Sequence, residues 1–205
     1  MFVWITTESE DFFEHLTAQI KSTDFRSSKA DSCLFIRKDY ICTSYVDDIL
    51  VFASNDEVIK KLIADLKNAS ADINQEEDVA GFSGVDIVRH PNGKIELTQK
   101  GLTTRIVEAL DLGDSNPNDT PAVNGTLPKD ENGEDCDANF NYACVLCMVL
   151  YLQGHTHPDI SFTVNQCAHY AFRPKKSHEE AIKRIGRYLK GTMDKGIIMT
   201  LQDTI

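Results

Sequence analysis

The spacing of apolar residues changes period several times along the 205-residue chain, and each change predicts an element. Over residues 11–22, Phe12, Phe13, Leu16 and Ile20 fall on one helical stripe. Segments 33–37 and 40–46 are rich in β-branched and aromatic residues and meet at Lys38-Asp39; 48–53 continues in the same style after an acidic turn, so three strands are expected. A helix follows Ser54, which makes a capping-box pattern with Glu57 and precedes Val58, Ile59, Leu62, Ile63 and Leu66 at the spacing of one buried face. Residues 81–89 and 94–98 flank His90-Pro91-Asn92-Gly93, whose Asn-Gly pair supplies the positive φ angles of a tight hairpin.

After a short helix over 102–110 the punctuation changes. Segment 111–138 is rich in Asn, Asp, Pro and Gly and holds eight acids against one Lys, so it reads as an acidic linker. Residues 142–153 are almost continuously apolar and predict a deeply buried helix. Pro158 suits a first helical turn, Ser177 with Glu180 repeats the capping-box pattern, and Gly191 suits a stop. In the last helix Ala181, Ile182, Ile185, Tyr188 and Leu189 make the buried stripe, which leaves Lys183, Arg184, Arg187 and Lys190 for other faces. The expected fold class is α+β, with a strand-and-helix portion over 1–112, an acidic connection over 113–138 and a helical portion over 139–205.

Composition narrows the function classes. An apolar content of 41% is enough for a core. No run of about 18 apolar residues occurs, and Met1-Phe2-Val3-Trp4 lacks the basic start of a signal peptide. The expectation is an intracellular protein, cytoplasmic or nuclear, with no membrane partner and with its six cysteines reduced. A net charge of −11 argues against phosphate binding, yet residues 171–195 carry eight basic side chains against three acids. That local excess suits either a solvated helix face or a nucleic-acid contact.

The chemistry concentrates at Tyr45-Val46-Asp47-Asp48. Two adjacent carboxylates between hydrophobic strands raise each other's pKa unless a cation holds both ionised, and hard oxygen ligands suit magnesium or manganese. The same dipeptide also serves as an ordinary solvated turn.

Tyr45-Val46-Asp47-Asp48 resembles the polymerase signature of reverse transcriptases, and other segments make the resemblance specific to copia-type retrotransposons. Phe13-Glu14-His15-Leu16 and the run from Ser28 to Ile36 look like the approach to the palm hairpin. Asp78-Val79-Ala80-Gly81-Phe82-Ser83-Gly84, Leu97-Thr98-Gln99 and Thr120-Pro121-Ala122 follow in family order. His157-Pro158-Asp159-Ile160, Val164-Asn165-Gln166-Cys167-Ala168 and the run from Ser177 to Thr192 complete a likeness over roughly residues 12–199. Three positions depart from the family pattern: Ser83 where Leu is usual, Cys147 where Gly is usual, and His157 where Arg is usual.

The resemblance implies a partial palm of antiparallel strands with packed helices, a hairpin over 81–98 near the primer grip, and a thumb- or connection-like helical portion. It implies nucleotidyl transfer onto a DNA primer directed by an RNA template, with Mg2+ or Mn2+ at two metal sites. Asp47 would be the principal catalytic metal ligand and Asp48 the secondary one. Tyr45 and Val46 would place the turn against the primer end, and Lys183, Arg184, Arg187 and Lys190 would meet phosphates. The family takes a further catalytic Asp from an upstream palm strand, and no segment here matches it. The chain alone is therefore expected to be inactive, working with a complementing polymerase fragment or persisting as a non-catalytic remnant that binds nucleic acid or acts as a scaffold. Unpaired edges on the carboxylate hairpin would favour self-association.

One further constellation has metal-ligand types: Cys144-x-x-Cys147 followed by His155 and His157. Within an apolar run the two cysteines read instead as small buried hydrophobes. His169 and His178 read as surface or satisfied core side chains, and no Ser-His-Asp set or glycine-rich phosphate loop occurs.

Overall fold

A computed structural model describes residues 2–5, 17–18, 20–38, 40–45, 48–53, 56–68, 73–76, 81–122 and 125–200. Contacts divide the chain into two compact units, Met1–Ser83 and Gly84–Ile205.

In the first unit β1 (Phe2–Ile5), β2 (Arg26–Ser27), β3 (Leu34–Arg37), β4 (Tyr40–Tyr45), β5 (Asp48–Ala53) and β6 (Ile73–Glu76) form one antiparallel sheet in the order β2-β3-β4-β5-β1-β6. The three strands expected over 33–53 are present as β3, β4 and β5. Helix α1 (Asp56–Asn68) contributes Ile59, Leu62 and Ile63 to one core with Phe35, Cys42, Ile49 and Val51. Burying each aliphatic side chain is worth roughly 1.5–3 kcal/mol. A one-residue slip of β5 would expose Ile49 and Val51, so this burial fixes the strand register. Burial also pushes the Cys42 thiol up to about 12, which leaves it protonated and inert.

Helical backbone at 20–22 closes at Thr23, whose N–H and hydroxyl both donate to the Ile20 carbonyl, at 3.1 and 2.7 Å. Phe12, Phe13 and Leu16 of the expected helix lie outside the described residues, as does Ser54 of the first capping box. The expected open edge on the carboxylate hairpin is corrected: β5 has β4 on one side and β1 on the other. Phe2–Ile5, too short to stand out as a strand by periodicity, gains its ladder from the neighbours on both sides.

In the second unit β8 (Val85–Arg89) and β9 (Ile95–Thr98) form the expected hairpin, closed by the His90 N–H on the Lys94 carbonyl and by Gly93 at a φ of 81°. The single strand expected over 81–89 is interrupted. A two-residue strand, β7 (Gly81–Phe82), at the end of the first unit, stops at Ser83 and Gly84, whose φ angles of 51° and 73° take the backbone out of the extended region, and β8 begins at Val85. Strand β10 (Ile197–Met199) pairs with the other side of β9.

Helices α2 (Lys100–Ala109), α3 (Tyr142–His155), α4 (Ser161–Ala168) and α5 (Lys176–Gly191), with a 3-10 turn at Pro158–Ile160, surround a second core that includes Ile106, Val149, Leu152, Ile160, Val164, Ile182, Ile185 and Leu189. Asn141 caps α3 by accepting the Cys144 N–H at 3.0 Å, and the Tyr142 hydroxyl donates to the Cys167 carbonyl at 2.9 Å. No described helix is long and apolar enough to cross a membrane.

Helix α3 is not buried all round. Tyr142, Val145, Leu146, Val149 and Leu152 face the core, while Cys144, Cys147 and Tyr151 are exposed. The bundle covers only one side of this helix, which a continuous apolar run cannot reveal. The start of α5 also differs from the expected Ser177–Glu180 capping box. Its third residue, His178, accepts the Lys175 N–H at Nδ1 (2.9 Å), and Ser177 instead donates to Asp130 at 2.6 Å. With Nδ1 accepting, the His178 proton sits on Nε2 and points at the Pro128 carbonyl, 2.9 Å away. The ring stacks on Tyr170 at 4.0 Å, so His178 is the satisfied core side chain that the sequence suggested.

The segment read as a linker is strapped along α5 instead. Asn118 N–H donates to the Arg187 carbonyl, Lys176 N–H to the Glu134 carbonyl and Cys136 N–H to the Pro174 carbonyl, so the strap runs antiparallel to the helix. Leu127 adds an apolar contact to the core and donates its N–H to Gln166 Oε1. Hydrogen bonds to fixed partners hold it, and composition carries no record of those partners.

Candidate metal and nucleic-acid site

The β4–β5 register pairs Ser44 with Ile49 and Tyr45 with Asp48, which leaves Val46 and Asp47 as a two-residue connection. Asp48 opens β5 and sits opposite Trp4 of β1 on the other side. Val46, Asp47 and the side chains of Tyr45 and Asp48 lie outside the described residues. Two consecutive carboxylates at a hairpin tip have the donor chemistry a hard divalent cation takes. The strand beside Asp48, Phe2-Val3-Trp4-Ile5, adds no carboxylate. Among the described residues no three His, Cys, Asp or Glu side chains converge as a metal site.

The basic residues of α5 lie in the second unit and are engaged within it. Lys183 Nζ is 2.6 Å from Glu179 Oε1 and 5.4 Å from the centre of the Phe140 ring. Arg184 donates to the Thr120 hydroxyl at 2.9 Å. Half-buried Arg187 accepts the Asn118 N–H at its carbonyl. Lys190 donates to the carbonyls of Leu112 (3.1 Å), Ser115 (2.8 Å) and Gly113. Three of the four side chains thus hold the strap and the helix itself.

Glu179, which no sequence motif marks, is the centre of this network. Its carboxylate, 1% exposed, accepts from Lys176 at 2.9 and 3.0 Å, from Lys183 at 2.6 Å and from the Asp137 N–H at 3.2 Å. Desolvation pushes this carboxyl up, but the hydrogen bonds from Lys183, Lys176 and Asp137 together outweigh it and bring the pKa down to about 2. The available signal was Glu179 four residues before Lys183, the favourable order for a helical ion pair. His157, where the family pattern has Arg, is 2% exposed and keeps Nδ1 3.3 Å from Asp159.

Residues 8–124 match the family described as reverse transcriptase (RNA-dependent DNA polymerase). The chain is 28% identical over 198 residues to the retrovirus-related Pol polyprotein from transposon RE2 of Arabidopsis thaliana, covering 95% of this chain and 13% of that protein. It is 28% identical over 186 residues to the Pol polyprotein from transposon TNT 1-94 of Nicotiana tabacum, covering 84% of this chain and 14% of the relative. An uncharacterized mitochondrial protein of Arabidopsis thaliana is 29% identical over 157 residues, with 75% of this chain and 62% of that protein covered. No solved structure matches the chain significantly. The sequence thus spans a small part of the Pol polyproteins it resembles, and the chain belongs to the reverse transcriptase (RNA-dependent DNA polymerase) family.

Proposed function

We propose that this chain is the part of a copia-type reverse transcriptase that carries the metal-binding turn, with a partial palm in its first unit and a thumb- or connection-like bundle in its second. The observation that carries the reading is the β4–β5 ladder, paired up to Tyr45 and Asp48 on either side of Val46-Asp47 in the sequence. Asp47 and Asp48 hold the cation, and Tyr45 and Val46 set the turn against the primer end. When bound, Mg2+ or Mn2+ supplies the neutralisation of phosphate charge that nucleotidyl transfer needs. The substrates in the parent enzyme are an RNA template, a DNA primer and nucleoside triphosphates. Arg187 is the α5 side chain best suited to a phosphate, since Lys183, Arg184 and Lys190 already serve the chain itself.

The 205 residues alone are proposed to be inactive, because the strand beside Asp48 brings no further carboxylate. Losing one ligand costs several kcal/mol of transition-state stabilisation, and about 1.4 kcal/mol is a factor of ten in rate. The test is primer extension on an RNA template with magnesium, comparing the chain alone with the chain plus an upstream polymerase segment. Extension only in the mixture, abolished by Asp47→Asn, is the expected result. Extension by the chain alone overturns the inactivity, and extension indifferent to Asp47→Asn overturns the site.

The same bare neighbour strand supports a second reading, a non-catalytic remnant that binds nucleic acid or serves as a scaffold. No extension in the mixture, with heteroduplex retained on the chain, would favour it.

A further inference from the structure

The exposed side of α3 carries two sulfur atoms in one turn, and a third follows them at the border with the core. Cys144 and Cys147 are exposed free thiols, and Met148, next in the chain, is half-buried and packs against the helical core. Positions i, i+3 and i+4 on a helix are neighbours, with Cβ atoms about 5–6 Å apart, so Cys144 lies within a turn of both partners. The polymerase reading uses none of the three.

We propose that Cys144, Cys147 and Met148 form a binding site for a soft monovalent cation, Cu(I) being the physiological candidate. Thiolate and thioether sulfur select Cu(I) over harder ions. A zinc site needs four ligands, and the other members of the sequence motif do not supply them. His155 is eight residues beyond Cys147, about 12 Å along the helix axis at 1.5 Å per residue. Its ring packs on Tyr151 at 4.2 Å with Nδ1 2.8 Å from the Tyr151 carbonyl. His157 is buried against Asp159. Two thiolates and one thioether, with no nitrogen or carboxylate to complete a tetrahedron, fit two- or three-coordinate copper. The four remaining cysteines are less suited: Cys42 and Cys167 are buried, Cys136 is half-buried with its thiol on Glu179, and Cys33 is half-buried in the first unit.

The test is competition for Cu(I) between the reduced 205-residue chain and bicinchoninate, a coloured Cu(I) chelator. One equivalent per chain should be withdrawn. Cys144→Ser and Cys147→Ser should each weaken uptake by about tenfold or more, and Met148→Leu by a smaller factor. The two cysteine substitutions lie on an exposed helix face and should keep the fold, which far-ultraviolet circular dichroism verifies. Uptake undiminished in the Cys144→Ser/Cys147→Ser double variant overturns the site, as does no withdrawal by the wild type. Half an equivalent per chain accompanied by dimers in gel filtration overturns a site built within one chain. Zn2+ held in preference to Cu(I) by the same two cysteines overturns the assignment of the metal.

Discussion

Lys183 reaches Glu179 at 2.6 Å although the carboxylate is 1% exposed and the lysine 31%, so an interior charge is neutralised by a side chain anchored nearer the surface. Glu179 also takes the Asp137 N–H, which ties the acidic strap to the helix. The pair is thus a structural joint between two segments 42 residues apart.

Acid should loosen this joint. The Glu179 carboxyl titrates at about 2 in the folded chain and at the ordinary 4.5 when unfolded, so its contribution is complete above pH 4.5 and fades as pH falls toward 2. At about pH 3 the loss is on the order of 2 kcal/mol. Urea unfolding at about pH 5 and pH 3 should show that loss in the wild type and a smaller one in Glu179→Gln. Identical pH dependence in both proteins would refute the linkage.

Substituting Glu179 by Ala should be costly at neutral pH. It strips the buried partner from Lys176 and Lys183 and leaves the Asp137 N–H without its acceptor. Removing one member of a buried pair typically costs about 3–5 kcal/mol, and partial exposure of the lysines puts the expectation at the low end. Chemical denaturation gives the value directly.

Lys190→Met should lower the melting temperature. The ammonium serves the carbonyls of Leu112, Gly113 and Ser115, and hydrogen bonds from a charged donor are each worth about 1.5–3 kcal/mol at most, shared here over three acceptors. A melting temperature equal to the wild type's would show that Lys190 does not hold the strap.

Two glycine substitutions should act in opposite directions. A Cβ at Gly186 would collide with the Cδ1 atoms of Leu110 and Leu112, both buried, so Gly186→Ala should cost about 1–3 kcal/mol. A Cβ at Gly154 meets nothing within 4 Å, so Gly154→Ala should stabilise α3 by about 0.4–1 kcal/mol. Thermal melts of the two variants that move in the same direction would contradict this packing.

Magnesium should stabilise the wild type through its carboxylate turn. At a tenfold excess over the dissociation constant the gain is about 1.4 kcal/mol, visible as a rise in melting temperature. The rise should vanish in Asp47→Asn. Equal rises in both proteins would place the cation elsewhere.

The family motif at Tyr45–Asp48 was legible in the sequence, as were the strands around it, because short runs of β-branched and aromatic residues suit strands. The exposed face of α3 was not legible for the converse reason: Cys144 and Cys147 are apolar like their buried neighbours, so hydropathy could not say which side had a partner. The partner of β5 in β1 and the joint at Glu179 were equally hidden. Each depends on residues at least 42 positions away, beyond any local pattern.

By itself the sequence determined the family and the period of most elements, since these depend on residue type and short spacing. Only the tertiary structure decided that the acidic segment is strapped to α5, that three of the basic side chains are already engaged, and that two thiols face outward. Burial and hydrogen-bond partnership are properties of long-range packing, and a linear order of residues specifies them only once the chain has folded upon itself.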